Sequence, residues 1–416
     1  MTESTAVERA MERRNSALEQ SNAWHSELPL RYLHQQAHLT VPATDPRLAE
    51  KAITGAHSVA ARILTKFEIT PDDIAARLQV PAPTVEEVLG ARAPLVLVDL
   101  EDGVPPQLAE EARRNAAELF RAADWGSSLR FFRCPSLADE RCTRDVTGVL
   151  FGAAAGRSKG SFPVDGIVFP KVRFVHEVEW LYELLDDVER SLGLPENHIR
   201  VSFQIETAWG VLNLPQLVQA GRQRLASLIL GTVDLSADIL LPEHRYRHPI
   251  CDWTRAMLVL AAGGVGVPAI DGMTLNFPVA SASLSVRENH DLLLDRMAQN
   301  FEDARYSIDY GMAGRWVGHP LQLIATVLAF RSVYSSEFVG RELNEVREFQ
   351  TAMEAGLGAV AGKHGELLDI GTDRHARQLL RRAVAWGLVS SEDAVRLNLA
   401  SAGEVGSIST TGLTGD

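Results

Sequence analysis

Residues 95–106 read LVLVDLEDGVPP. Leu95 to Val98 form an unbroken apolar run, and Asp99, Glu101 and Asp102 follow within four positions. A run apolar on both faces is the mark of a parallel strand covered on both sides. Carboxylates are costly to bury without partners, so a strand that ends this way delivers them to a place that uses them. Seven other runs look alike: HLTVP (38–42), LRFFRC (129–134), GIVFPK (166–171), VSFQIE (201–206), LILGTVD (228–234), VPAID (267–271) and RWVGHP (315–320). The segments between them carry helical periodicity. In 106–123, Leu108, Ala112, Ala116, Leu119 and Phe120 share one stripe, as do Val178, Leu181, Leu185, Val188 and Leu192 in 175–192. This alternation predicts an α/β fold, a closed (β/α)8 TIM barrel over residues 38–332. A doubly wound open sheet is the alternative.

Three regions fall outside a minimal barrel. Residues 1–37 are polar and helix-prone, and read as an N-terminal helical arm. Residues 53–93 read as a helical insertion. Thr70-Pro71-Asp72-Asp73 offers a cap, a proline at the first helical position and early acids, and Thr84-x-x-Glu87 reads as a capping box, with Gly90 near the helix end. Residues 333–416 show no strand pattern and read as a helical, lid-like C-terminal extension ending in the flexible tail STTGLTGD.

Composition excludes several function classes. The chain has 416 residues and a formal net charge of −13, which argues against a generic nucleic-acid or anionic-membrane binder. No apolar run reaches membrane-spanning length, and the first twenty residues lack the apolar core of a signal peptide. Cys134, Cys142 and Cys251 are scattered without a CxxC pair, giving neither a disulfide framework nor a zinc site. The cytoplasm is the expected compartment.

The polar residues fall where a barrel builds its chemistry, at the C-terminal ends of the strands. In order they are Asp99, Glu101 and Asp102, then Arg133, Lys171, Glu206, Asp234, Asp271 and His319. Each has a plainer alternative. Glu206 is then a loop carboxylate, Asp234 a helix cap, Arg133 a surface partner of Asp139 or Asp145, and Lys171 a solvated lysine. Asp271 is then a turn former and His319 a structural residue at a helix start. Seven strands in a row ending this way form a converging ring, which predicts an active site. Two carboxylates on neighbouring strands, without clustered His or Cys, suit a hard cation: Mg2+, with Mn2+ or Co2+ as substitutes. An arginine beside them would clamp a carboxylate through two bonds. Together they describe a site for a small 2-oxo acid that chelates the metal.

The motifs resemble the HpcH/HpaI aldolase and citrate lyase beta-subunit-like family of metal-dependent carbon–carbon lyases, over residues 38 to about 330, with a weaker echo to about 385. VDLEDGV is similar to the citrate-lyase-like DLED motif, FRCP to the arginine motif after the third strand, VFPKV to the fourth-strand PK motif, and GRWVGHPLQL to a late His-Pro motif. FQIETAWGVLNLPQL and GTVDLSADI resemble the segments that carry the metal-ligand pair. The resemblance implies a barrel of the phosphoenolpyruvate/pyruvate-domain type and Glu206 and Asp234 as metal ligands. It implies Arg133 on the substrate carboxylate, Asp102 as base with Glu101 in support, and substrate contacts from Asp99, Lys171, Gly231, Thr232 and His319. GELLDIGTDRHARQLLRRA is similar to the lid of coenzyme-A lyases, which makes Asp369 a candidate catalytic residue in its own or a neighbouring subunit. No organic prosthetic group is implied; coenzyme A enters as part of the substrate, and the chain is expected as a homo-oligomer, trimer or hexamer.

The implied function is cleavage or condensation at a C–C bond beside a metal-bound 2-oxo acid, of the malyl-, citramalyl- or citryl-CoA kind. A class II pyruvate-type aldolase acting on free 4-hydroxy-2-oxo acids is the alternative, since FRCP and DLSADI lean that way. A Schiff-base aldolase using Lys171 is a mechanistic rival. Two readings come from other classes. One is a barrel that binds an acyl-CoA or oxo acid without turning it over. The other is a DNA-binding regulator, suggested by the helix-turn-helix spacing of DDIAARLQVPAPTVEEVLGAR (72–92); its second helix carries Glu86 and Glu87, which suits a DNA groove poorly.

Overall fold

The computed structural model describes residues 3–22, 28–157, 162–363 and 365–409. Eight parallel strands close into a barrel: β1 (Ala37–Pro42), β2 (Leu95–Asp99), β3 (Leu129–Arg133), β4 (Gly166–Phe169), β5 (Arg200–Ile205), β6 (Leu225–Leu230), β7 (Ala269–Asp271) and β8 (Gly314–Val317). Closure is made by β1, which pairs with β2 on one side and with β8 on the other, Ala37 opposite Arg315. All eight expected strands are present, and the open sheet is excluded.

One strand is displaced. β6 starts at Leu225, three residues before the run 228–234 suggests, and stops at Leu230, four residues before that run ends. Gly231 leaves the strand, and Thr232–Asp238 turn into a short helix. Asp234 therefore projects from the first turn of a helix, where Gly231 is the cap residue, so Asp234 is not a helix cap.

The insertion forms helices Pro71–Leu78 and Ala82–Gly90, packed on the barrel helices Val286–Asp309 and Pro320–Val333 around Ile74, Leu78, Val85 and Val88. Thr70 and Asp73 make the expected reciprocal cap. The capping box at Thr84 does not form. Pro81 caps the helix three residues earlier, and Glu87 instead accepts two bonds from Arg331, at 2.7 and 2.8 Å. The supposed recognition helix is thus docked on the barrel with its apolar residues buried, which removes the structural basis for DNA reading.

The N-terminal arm contains helix Glu3–Asn22. The extension holds helices Ser336–Glu354, Ile370–Ala385, Ser391–Arg396 and Ala402–Ser409. It also holds an antiparallel hairpin, β9 (Ala359–Ala361) and β10 (Leu367–Asp369), which corrects the reading of this region as strandless. Its second half docks on the barrel floor, the end where the strands begin. Trp386 packs on Tyr334 and Phe330, and its indole N–H donates to the Leu33 carbonyl at 2.9 Å. Within one chain this part covers the floor and not the rim. The tail, from Thr410 on, lies outside the described residues. Among the described residues no helix is long and apolar enough to cross a membrane, and Cys134, Cys142 and Cys251 are free and buried.

Candidate active site

The segments that follow β3, β4, β5 and β6 enclose a cavity of about 430 Å3 lined by Lys171, Arg173, Glu206, Thr207, Asp234 and Asp238, among others; Asp99, Glu101, Asp102 and Arg133 stand beside it and do not line it. Alternation along β5 points Ser202 and Gln204 into the barrel, and Glu206 continues that face at the top. Glu206 is fully buried. One carboxylate oxygen accepts the Lys171 backbone N–H at 3.1 Å, and the other accepts the Gln204 amide. Gly231 lies against it: any Cβ at that position would run into the Glu206 carboxylate, so Gly231 serves by having no side chain. Asp234 projects into the same cavity, 37% exposed.

Burial pushes the Glu206 carboxyl well above the ordinary range, and the carboxylates of Asp234 and Glu101 push it further; Lys171 and Arg133 offset this only in part. The acids around Glu206 thus outweigh the cations near it. Among the described residues no cluster of three or more His, Cys, Asp or Glu is arranged to hold a metal. A two-carboxylate donor set of hard oxygens, open to a cavity with room for waters and a small substrate, fits Mg2+, which keeps waters and takes the rest of its octahedron from substrate.

Beyond Lys171 lies the acid cluster of β2. Arg133 is nearly buried. Its Nε and Nη2 bond the two oxygens of Asp99 at 2.7 and 2.8 Å, and its Nη1 lies 3.0 Å from both Glu101 and Asp102. Burial raises the Asp99 carboxyl, but Arg133 and the backbone N–H groups of Glu101 and Gly103 outweigh it and hold it below the usual range. Arg133 is therefore no surface residue; Asp139 pairs with Arg141 and Asp145 with Arg113. The Trp316 ring lies 5.3 Å from the guanidinium carbon and fixes its plane.

Lys171 sits with φ +54°, a left-handed backbone that a non-glycine residue adopts at a cost. The conformation aims both its N–H at Glu206 and its ammonium at Glu101 (2.8 Å), with Asp234 at 3.5 Å and Asp102 at 3.6 Å. Burial alone would lower its pKa, yet Glu101, Glu206 and Asp102 raise it well above the ordinary lysine value. A Schiff-base lysine needs the opposite environment, so this surrounding disfavours that rival.

Three expected site residues lie elsewhere. Thr232 is buried, and its hydroxyl faces His244 at 3.1 Å instead of the cavity. His319 caps the helix Pro320–Val333, its Nδ1 accepting from the Leu321 N–H, and burial pushes its pKa down to about 4. Asp369 caps the helix Ile370–Ala385 through Gly371 and Thr372, and the rim cavity is lined without it. Asp271 is not a turn residue but the centre of a buried cluster with Arg255, Tyr246 and Ser307. Sequence reading missed Arg173, Glu177 and Asp238. Arg173 follows the PK motif by two positions and pairs with Glu177 at 3.0 Å, and Asp238 bonds the Ala208 N–H at 2.6 Å, tying the loops after β5 and β6 together.

Residues 34–411 match a family described as Domain of unknown function (DUF6986). The chain belongs to that family. Among curated proteins it is similar to an L-malyl-CoA/beta-methylmalyl-CoA lyase of Cereibacter sphaeroides, 28% identical over 320 residues, covering 72% of this chain and 90% of the relative. A protein of the same description from Haloarcula marismortui is 29% identical over 311 residues, covering 73% and 84%. Among solved structures, a citrate lyase from Burkholderia xenovorans superposes with a TM-score of 0.56 at 19% identity, covering 73% of this chain and 87% of that one, a likeness of fold. The expected citrate-lyase-like family and the expected class, a lyase, are borne out.

Proposed function

We propose that this protein is a divalent-metal-dependent lyase that splits, or forms, the C–C bond between a 2-oxo acid and an acyl-CoA thioester, of the malyl-CoA kind. The observation that carries the reading is the paired carboxylates Glu206 and Asp234 facing one cavity, with Lys171 between them and the Arg133 cluster. Glu206 and Asp234 would hold the metal, preferably Mg2+, which when bound polarises the carbonyl or alkoxide oxygen of the oxo-acid half. Asp99 grips two nitrogens of Arg133, and Glu101 and Asp102 share its Nη1, so a substrate carboxylate would pair with Arg133 by displacing one of these two acids from Nη1. Asp102, the exposed acid of the cluster, accepts the proton of the substrate hydroxyl. As that proton leaves, the C–C bond breaks, its electrons pass to the thioester carbonyl, and the resulting enolate takes a proton at carbon. Lys171 remains an ammonium and offsets the negative charge that develops beside Glu101.

The lyase reading is favoured over the free-acid aldolase by the CoA thioesters named in the relatives. Asp369, tied to its own helix cap, would act only in a neighbouring copy, as part of a homo-oligomer. The test is a panel with Mg2+, scoring release of 2-oxo acid from malyl-CoA against free 4-hydroxy-2-oxo acids. Oxo acid from the thioester alone, lost with EDTA and lost in both Glu206→Ala and Asp234→Ala, supports the reading. Turnover of free acids alone, coenzyme A released without oxo acid, or metal binding unchanged in both variants overturns it.

A further inference from the structure

A second and larger cleft, about 820 Å3, opens at the other end of the barrel, between the floor and the helix Ile370–Ala385. One wall is apolar and comes from Leu28, Leu33, Val267 and Pro268, residues just before β1 and β7. The facing wall carries Arg374, Arg381 and Arg382, seven and eight positions apart and so on one helix face. Arg381 is occupied: it donates to the Leu399 carbonyl at 2.9 Å and pairs with Glu404, the acid of this cleft. Arg374 and Arg382 have no carboxylate partner and no acceptor for their guanidinium groups among the described residues. In a chain of net charge −13, two unmatched guanidinium groups facing one cleft are a local excess of positive charge.

The shape narrows the ligand. Seven to eight helical residues span roughly 10–12 Å, more than one phosphate covers. Guanidinium forks favour phosphate oxygens. The apolar wall opposite calls for a flat, uncharged part on the same molecule. The cleft lies at the start of the strands, so it does not serve the rim chemistry within the chain.

We propose that this floor cleft binds a nucleoside polyphosphate, with Arg374 and Arg382 on the phosphates and the Leu33–Pro268 wall against the base. Free nucleotides and coenzyme A share this chemistry. The proposal does not rest on the reading of the rim.

The experiment is calorimetric titration of the full-length protein with ADP, coenzyme A and inorganic pyrophosphate. The expected result is one ADP per chain, bound more tightly than pyrophosphate. Arg374→Ala with Arg382→Ala should weaken it at least ten-fold, and Arg382→Glu should abolish it. Among the described residues neither arginine has a partner to lose, so melting temperature and turnover without nucleotide should match the parent. A coenzyme A affinity that falls equally in the double variant identifies that source; one that does not identifies the free nucleotide. Absence of saturable heat, equal ADP binding by parent and double variant, or displacement of ADP by the rim's 2-oxo acid overturns the proposal.

Discussion

Two carboxylates at this rim, Glu206 after β5 and Asp271 at the end of β7, are both fully buried, and they meet opposite fates. Around Asp271 the charges match. Burial raises its carboxyl, but Arg255 at 2.8 Å and Arg315 more than reverse this, and Tyr246 and Ser307 add hydrogen bonds. Around Glu206 the charges do not match, and its carboxyl is pushed up by burial and two other acids. A matched buried acid holds the barrel together. An unmatched one is where, in the proposed reading, a cation from outside would complete the balance.

The largest expected effect is on turnover. Glu206→Ala or Asp234→Ala should lower kcat/KM by about 10^3-fold or more, since metal polarisation contributes several kcal/mol to the barrier; steady-state assay with saturating Mg2+ measures it. The same pair of sites separates in stability. Asp271→Asn should cost about 3 kcal/mol in urea unfolding, because the buried guanidinium of Arg255 then keeps only Asp252 as a carboxylate partner. Glu206→Gln in metal-free protein should cost little or raise stability. Equal losses in both would break the contrast.

A third expectation concerns histidines buried neutral at the barrel floor. Burial pushes His34 down to about 4 and His38 to about 3. Below about pH 6.5 the unfolded chain takes protons there that the folded chain refuses, so stability falls as pH falls. The slope is about 1.4 kcal/mol per pH unit for each histidine until the folded values are reached. His38→Asn should remove one such slope between pH 6 and about 4.5, measured by urea unfolding against pH. An unchanged slope would show that matched charge, and not enforced neutrality, governs the floor.

The smallest effect belongs to Asp369. As a helix cap, Asp369→Ala should cost about 1 kcal/mol with turnover unchanged. A hundred-fold loss of kcat with an unchanged melting temperature would instead assign Asp369 to a neighbouring copy's site.

The strands were legible because parallel strands buried on both faces leave continuous apolar runs, and the rim acids were legible because strand ends are where such runs stop. The end of β6 was not, since LILGTVD keeps its strand character past Gly231, and only the close approach to Glu206 shows why the chain turns there. The hairpin at 359–369 was hidden because its strands are only three residues each, too short for an alternating pattern to show. Arg133 was read as free to clamp substrate; its bidentate grip by Asp99 joins residues 34 apart, which no local pattern reveals. Asp271 looked like its rim neighbours, and its partners come from 246, 255 and 307, distant in sequence and adjacent only in the folded barrel.

Closure by β1 against β8 has a consequence for how the chain is made. Ala37 waits for Arg315, and Leu33 for Trp386. At the roughly 5–20 residues per second of synthesis, the first strand is built about a quarter of a minute to a minute before its second neighbour exists. Throughout that interval the far edge of β1 has no partner, and the newest strand exposes a second edge. The ribosome therefore presents an open, sticky half-barrel, and the last helices to emerge are the ones that pin the first residues in place.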